Sequence, residues 1–255
     1  MGMAKYLSRK NAYLSQFSQL KKNILLVKKH IQIIKTNPGT TKIMYPEYQA
    51  AFDYVDELYP NMNVKDVIIY KAPRDLLNKL GYDGICGFYN LITKNIAIGD
   101  KLDVVKSNFS ATIEIDEIIV HELIHYCSNK DFCFSSIMLE EEFAYGKSIK
   151  YFRNKGYSDD EIIRNYFMPY LVSIIDTQKI AKSIIHKHCP SSKGYGASHN
   201  KIKKLLHEHE KEIDDLISKE CFEQGNKIIE IYTREEIKKE VKEELNFVDL
   251  IDLGD

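Results

Sequence analysis

A chain of 255 residues that is 44% hydrophobic can bury a substantial core, either as one domain or as a core with a helical appendage. Its 36 Lys and Arg balance 37 Asp and Glu, and the net charge of -1 excludes a global attraction to nucleic acid or to an acidic membrane, so any partner has to be argued locally. Cys86, Cys127, Cys133, Cys189 and Cys221 are scattered and lack paired CxxC spacing, which excludes a structural zinc knuckle and a dithiol redox motif. Reduced thiols, no apolar signal segment at the start and no run near the ~18 apolar residues of a spanning helix together lead to the expectation of a cytoplasmic protein without a transmembrane segment. Ile, Lys, Asn and Tyr are abundant and Trp is absent, a bias expected of a low-GC bacterium or one of its phages.

From Ala4 to Lys35 apolar residues recur at helical spacing (Leu7, Leu14, Phe17, Ile24, Leu25, Val27, Ile31, Ile34), and the stretch carries Lys and Arg but no acid. Residues 1–36 therefore form a basic amphipathic helical arm. It suits docking on an acidic partner or a membrane surface, and it equally suits a helix packed on the core with a solvated basic face, which is the expectation here. Asn37-Pro38-Gly39 ends it. A second helix is predicted over Tyr45 to Leu58, closed by Pro60-Asn61.

Strands are predicted at Val67 to Tyr70, Ile85 to Leu91 and Asn95 to Ile98, the last two joined by a turn at Thr93-Lys94. After Thr112 the pattern is helical throughout. Ser158 with Glu161 makes a capping-box signature for a helix running toward Met168-Pro169, and Thr233 with Glu236 makes another for the last helix. Pro190 to Gly196 reads as a loop and a domain boundary. The expected class is α+β: a mostly helical domain over 37–190 with a small upstream β-sheet, then a helical C-terminal region over 191–255 packed upon it.

The chemistry is concentrated in Ile118-Ile119-Val120-His121-Glu122-Leu123-Ile124-His125-Tyr126, an HExxH motif within a helical pattern. Residues four apart sit about 40° from each other around a helix and one turn apart, so His121 and His125 can reach one metal ion from one face. Glu122 lies about 100° round, where its carboxylate can approach a water without being a ligand. Ile115, Ile118, Ile119 and Leu123 make an apolar stripe that would anchor the helix. A catalytic zinc takes three protein ligands and keeps one position open, so a further ligand is needed, and Met138 to Gly146 offers Glu140, Glu141 and Glu142 on a second helix. Ala144 and Gly146 are small and would let two helices approach closely there.

HExxH followed by Glu-x-x-Ala resembles the gluzincin branch of the zincin metallopeptidases. The resemblance covers about Val67 to Phe152, roughly a third of the chain, and implies a zincin-like fold, a Zn2+ cofactor and peptide-bond hydrolysis. It implies Glu141 as third ligand, through Glu141-Glu142-Phe143-Ala144, with Glu140 and Glu142 as fallbacks. It also implies a sheet edge that pairs with an extended peptide or protein substrate, expected near Asn95–Ile98 with Gly87-Phe88-Tyr89 alongside. A metzincin-like spacing points instead to Asp131, but Ser128 stands where that pattern wants a glycine turn.

Such a site makes Glu122 the general base and requires a further donor to the oxyanion, for which Tyr157, Tyr195 and His199 are the candidates. His186, His188, His207 and His209 are read as surface residues of Lys- and Glu-rich helices rather than as a second metal site. The alternative to a zinc peptidase is a non-enzymatic helical interaction protein, a bacterial or phage factor in which HExxH is structural or vestigial.

Overall fold

The structure, a computed structural model, describes residues 22, 25–82, 86–90, 93–100, 104–106, 109–111, 114–131, 137–189 and 199–251. It is mostly helical with a small mixed sheet, an α+β architecture, and it divides into two compact units. The first comprises Met1–Leu102 with Glu114–Phe134, the second Asp103–Ile113 with Ser135–Asp255. Among the described residues no helix is long and apolar enough to cross a membrane.

In the first unit, helix α1 (residues 25–36) leaves Leu25 and Leu26 exposed and buries Ile31 and Ile34. The described part of the basic arm is thus a packed helix with a solvated face; most of the arm before residue 25 lies outside the described residues. Strand β1 (Thr41–Ile43) follows, then α2 (Gln49–Leu58). The helix starts four residues later than expected because the chain turns at Met44–Glu47 and again at Pro46–Gln49 before the first helical residue. Strand β2 (Ile69–Ala72), helix α3 (Arg74–Lys79), β3 (Gly87–Asn90) and β4 (Asn95–Gly99) complete the sheet layer. The Asp100 carboxylate accepts from the Arg74 amide at 2.8 Å, satisfying a donor at the α3 start.

The sheet order is β1-β2-β4-β3, with β2 and β4 parallel and the outer pairs antiparallel. Residue alternation then decides both faces. Tyr70 pairs with Ala97 and Ala97 with Phe88, and these, with Ala72, pack against Ile31, Ile34 and Leu77. Ile96 and Ile98 pair with Tyr89 and Gly87 on the opposite face, which meets helix α4 (Ile115–Asp131). Lys94 takes the left-handed conformation (φ 52°) in the β3–β4 turn, and the Asn90 side chain accepts from the Thr93 amide and hydroxyl at 2.9 and 3.0 Å.

The second unit opens with a hairpin, β5 (Val104–Lys106) and β6 (Phe109–Ala111), which the sequence pattern did not reveal. Helix α5 (Ile137–Asn154) follows, then the one-turn α6 (Asp159–Glu161), a π-helical segment over Ile162–Phe167 and α7 (Met168–Ile174). Ser158 and Glu161 form the expected capping box in both directions. The chain does not stop at Pro169: the Met168 amide bonds to the Ile163 carbonyl, and this wider turn passes the proline, which lacks a donor, into α7. Helices α8 (Thr177–His188), α9 (His199–Glu208) and α10 (Glu210–Ile251) complete the unit. Thr233 does not cap a separate helix; α10 runs through it, and its hydroxyl accepts from Arg153 Nη1 at 3.0 Å while Arg153 grips both carboxylate oxygens of Asp159. The Pro190–Gly196 loop lies outside the described residues.

Candidate metal centre

Helix α4 begins with the carboxylate of Glu117 accepting from the Glu114 amide at 3.0 Å, and with Asp116 and Glu117 at its positive end. Ile118, Ile119, Val120, Leu123, Ile124 and Cys127 are all buried, so the helix is held on several sides, by α2 as well as by β3 and β4. That all-round burial goes beyond the single stripe read from sequence, in which Ile115 is half-buried.

His121, Glu122 and His125 are buried too, at 8%, 5% and 5% exposure. Buried imidazoles and carboxylates need partners, because a neutral polar group taken from water with nothing to replace its hydrogen bonds costs about 2–7 kcal/mol and an ionised one far more. The two Nε2 atoms face each other at 3.0 Å, with the rings nearly perpendicular at 79°. Around a tetrahedral zinc with bonds of ~2.0–2.1 Å the ligand nitrogens stand about 3.3 Å apart, so the pair is spaced as two ligands of one ion would be. His121 and His125 each offer a ring nitrogen to one ion from a single helix of the first unit, while Glu141 belongs to α5 of the second unit. Two imidazoles on one helix face are a donor pair that suits zinc.

Glu122 is positioned by β3. A Cβ built on Gly87 would lie 3.1 Å from Glu122 Oε1, 2.6 Å from Ile118 Cγ2 and 3.0 Å from Ile98 Cγ2, so only glycine lets strand and helix approach this closely. Two residues along β3, the Tyr89 ring meets Tyr126 edge-on at 5.9 Å. Strand β4, the expected substrate edge near Asn95–Ile98, is paired on both sides. Among the described residues β3 is an edge strand of this sheet, and it is β3 that runs beside Glu122.

Glu140, Glu141 and Glu142 lie half-buried near the start of α5. Gly146 accepts the Tyr232 ring of α10, which a Cβ would meet at 2.3 Å, and Ala144 is fully buried. Asp131 is the last residue of α4, and the helix runs unbroken through Ser128 where the metzincin-like spacing needs a tight turn.

Of the expected oxyanion donors, Tyr157 lies past the far end of α5, about 20 Å along the helix axis from Glu141 at 1.5 Å per residue. Its amide closes that end by donating to the Phe152 carbonyl, and its ring borders Phe152 and Lys155. His199 is the first residue of α9, and Tyr195 is outside the described residues. The tyrosine near the Glu141–Glu142 pair is Tyr170 of α7, stacked on Tyr145 at 5.0 Å. Burial, with Glu142 and Glu141 nearby, pushes its phenol up to about 12. Nothing in the local sequence pattern singles it out, because its place depends on the π-helical segment before it. Comparison with protein-family models, with curated proteins and with solved structures finds no match to this chain.

Proposed function

We propose that the chain is a zinc-dependent peptidase in which His121, His125 and Glu141 hold the metal. The observation that carries this reading is the buried pair of Nε2 atoms 3.0 Å apart on one face of α4, with the Glu122 carboxylate on the adjoining face against Gly87. When bound, zinc supplies Lewis acidity that lowers the pKa of a water to about 7 and polarises a carbonyl. Glu122 takes the proton from the attacking water and returns it to the leaving amine. An extended peptide adds to the outer edge of β3, its main chain held by that strand's backbone groups.

The test is Glu122→Gln, which keeps shape and removes the base. Against a mixed peptide library, the parent hydrolyses and the variant is slower by roughly 100-fold or more, while both hold the same amount of zinc. Equal hydrolysis by both proteins would exclude Glu122 as the base. No hydrolysis by zinc-loaded parent would favour the interaction-protein reading.

A further inference from the structure

Helix α8 ends at His188, a one-residue break at His209 separates α9 from α10, and Glu212 lies in the first turn of α10. The tertiary fold brings these three together at the surface of the second unit. Glu212 Oε2 receives His188 Nε2 at 3.0 Å and His209 Nδ1 at 3.4 Å, and the two imidazoles stack at 3.7 Å and 21°. The other carboxylate oxygen, Oε1, accepts from Lys187. The three ligand atoms all lie within 4.8 Å of one another.

We propose that His188, His209 and Glu212 form a second divalent-metal site, of the zinc class, which clamps the end of α8 to the start of α10. Read along the sequence, these histidines look like unrelated surface residues of polar helices, and His186, His188 and His207 are indeed exposed. The fold changes that reading for His188 and His209 because their ring nitrogens converge on one carboxylate oxygen. Ligand atoms about a tetrahedral zinc stand roughly 3.3–3.5 Å apart, and the nitrogen-to-oxygen spacings of 3.0 and 3.4 Å are close to that; to hold the ion, the two stacked rings turn out of parallel so that both nitrogen lone pairs point at it. Two imidazoles and one carboxylate select zinc, nickel or copper over magnesium or calcium, which prefer all-oxygen shells. Lys187 fixes the carboxylate from its far side, as outer-shell partners of metal ligands commonly do. A cation joined to all three residues closes the chain between 188 and 209 and so adds to the stability of this unit.

The site stands independently of the peptidase reading. The experiment is a zinc titration of the metal-free full chain against a chromophoric chelator, on the parent, His125→Ala, His209→Gln and the double variant, with thermal melts alongside. His125→Ala retains one zinc equivalent that raises its melting temperature, and the double variant loses both the equivalent and the shift. Should His125→Ala fail to fold, the loss of one equivalent from parent to His209→Gln reads the same site. Glu212→Gln, which preserves shape, weakens that equivalent at least tenfold, in line with loss of a metal ligand. Unchanged stoichiometry and affinity in His209→Gln and Glu212→Gln would overturn the proposal. A parent equivalent lost only with His209→Gln would support it while removing the HExxH site, so the two readings fail separately.

Discussion

Gly87 and Glu122 are so close that a single added methyl group on the glycine would stand 3.1 Å from the carboxylate and 2.6 Å from Ile118. Strand β3 and helix α4 are thereby set together at the residue to which the catalytic role is assigned. Gly87→Ala must push the strand, the helix or both aside. Overpacking of this kind costs about 1–3 kcal/mol, so denaturant unfolding should show a loss in that range. Peptide hydrolysis should fall more than zinc content does, since the methyl group would press on Glu122 itself, while His121 lies one residue before it and His125 three residues after.

Gly146 has the same relation to Tyr232 in the second unit. Gly146→Ala drives a Cβ into the ring and should destabilise by about 1–3 kcal/mol. Shortening the ring residue makes room, so Gly146→Ala with Tyr232→Leu should cost less than the sum of the single changes. A double-mutant cycle measures that coupling, and strict additivity would mean the two positions do not meet.

The capping box predicts a pH dependence. Ser158 donates from its hydroxyl to the Glu161 carboxylate at 2.7 Å and from its amide at 2.8 Å, and these bonds hold the Glu161 carboxyl below its ordinary range. A folded value below the unfolded one contributes stability that is present above the unfolded pKa, near 4.3, and is lost as pH falls through the folded value. Ser158→Ala should cost about 1 kcal/mol at neutral pH, with the gap between variant and parent closing as the solution is acidified. A gap independent of pH down to full protonation would show that Glu161 takes no part.

Cys221 of α10 is a fully buried thiol whose burial, with Glu220 beside it, pushes its pKa up to about 11. Its unfolded value is near 8.5, so its contribution is intact below that pH and is lost as pH rises through about 11. Alkylation at pH 8 should therefore be slow in the folded chain and become rapid on unfolding. Fast labelling of Cys221 in the native protein would place it at the surface.

Part of each unit could be read along the chain because the signals were local. Apolar spacing around His121 to His125, the Thr93-Lys94 turn and the Ser158-Glu161 pair each act within a few residues, and each structure element formed where its own side chains favour it. Elements whose stability comes from elsewhere were not readable. Strands β1, β5 and β6 have three residues each, too few for alternation to show. Thr233 and Glu236 have the spacing of a helix start, yet packing against α5 and the Arg153 contact carry α10 through them. That β4 lies inside the sheet and β3 at its edge is a matter of topology, invisible to periodicity. The same holds for His188, His209 and Glu212, which are distant along the chain and adjacent in space.

The most direct measurement of the central claim is zinc content by elemental mass spectrometry, on protein purified without chelators, for the parent, Glu122→Gln, His125→Ala and Glu141→Ala. Glu122→Gln should hold as much zinc as the parent, while His125→Ala and Glu141→Ala should each lose one equivalent. Zinc unchanged in His125→Ala would contradict a metal centre on α4 and the mechanism built upon it.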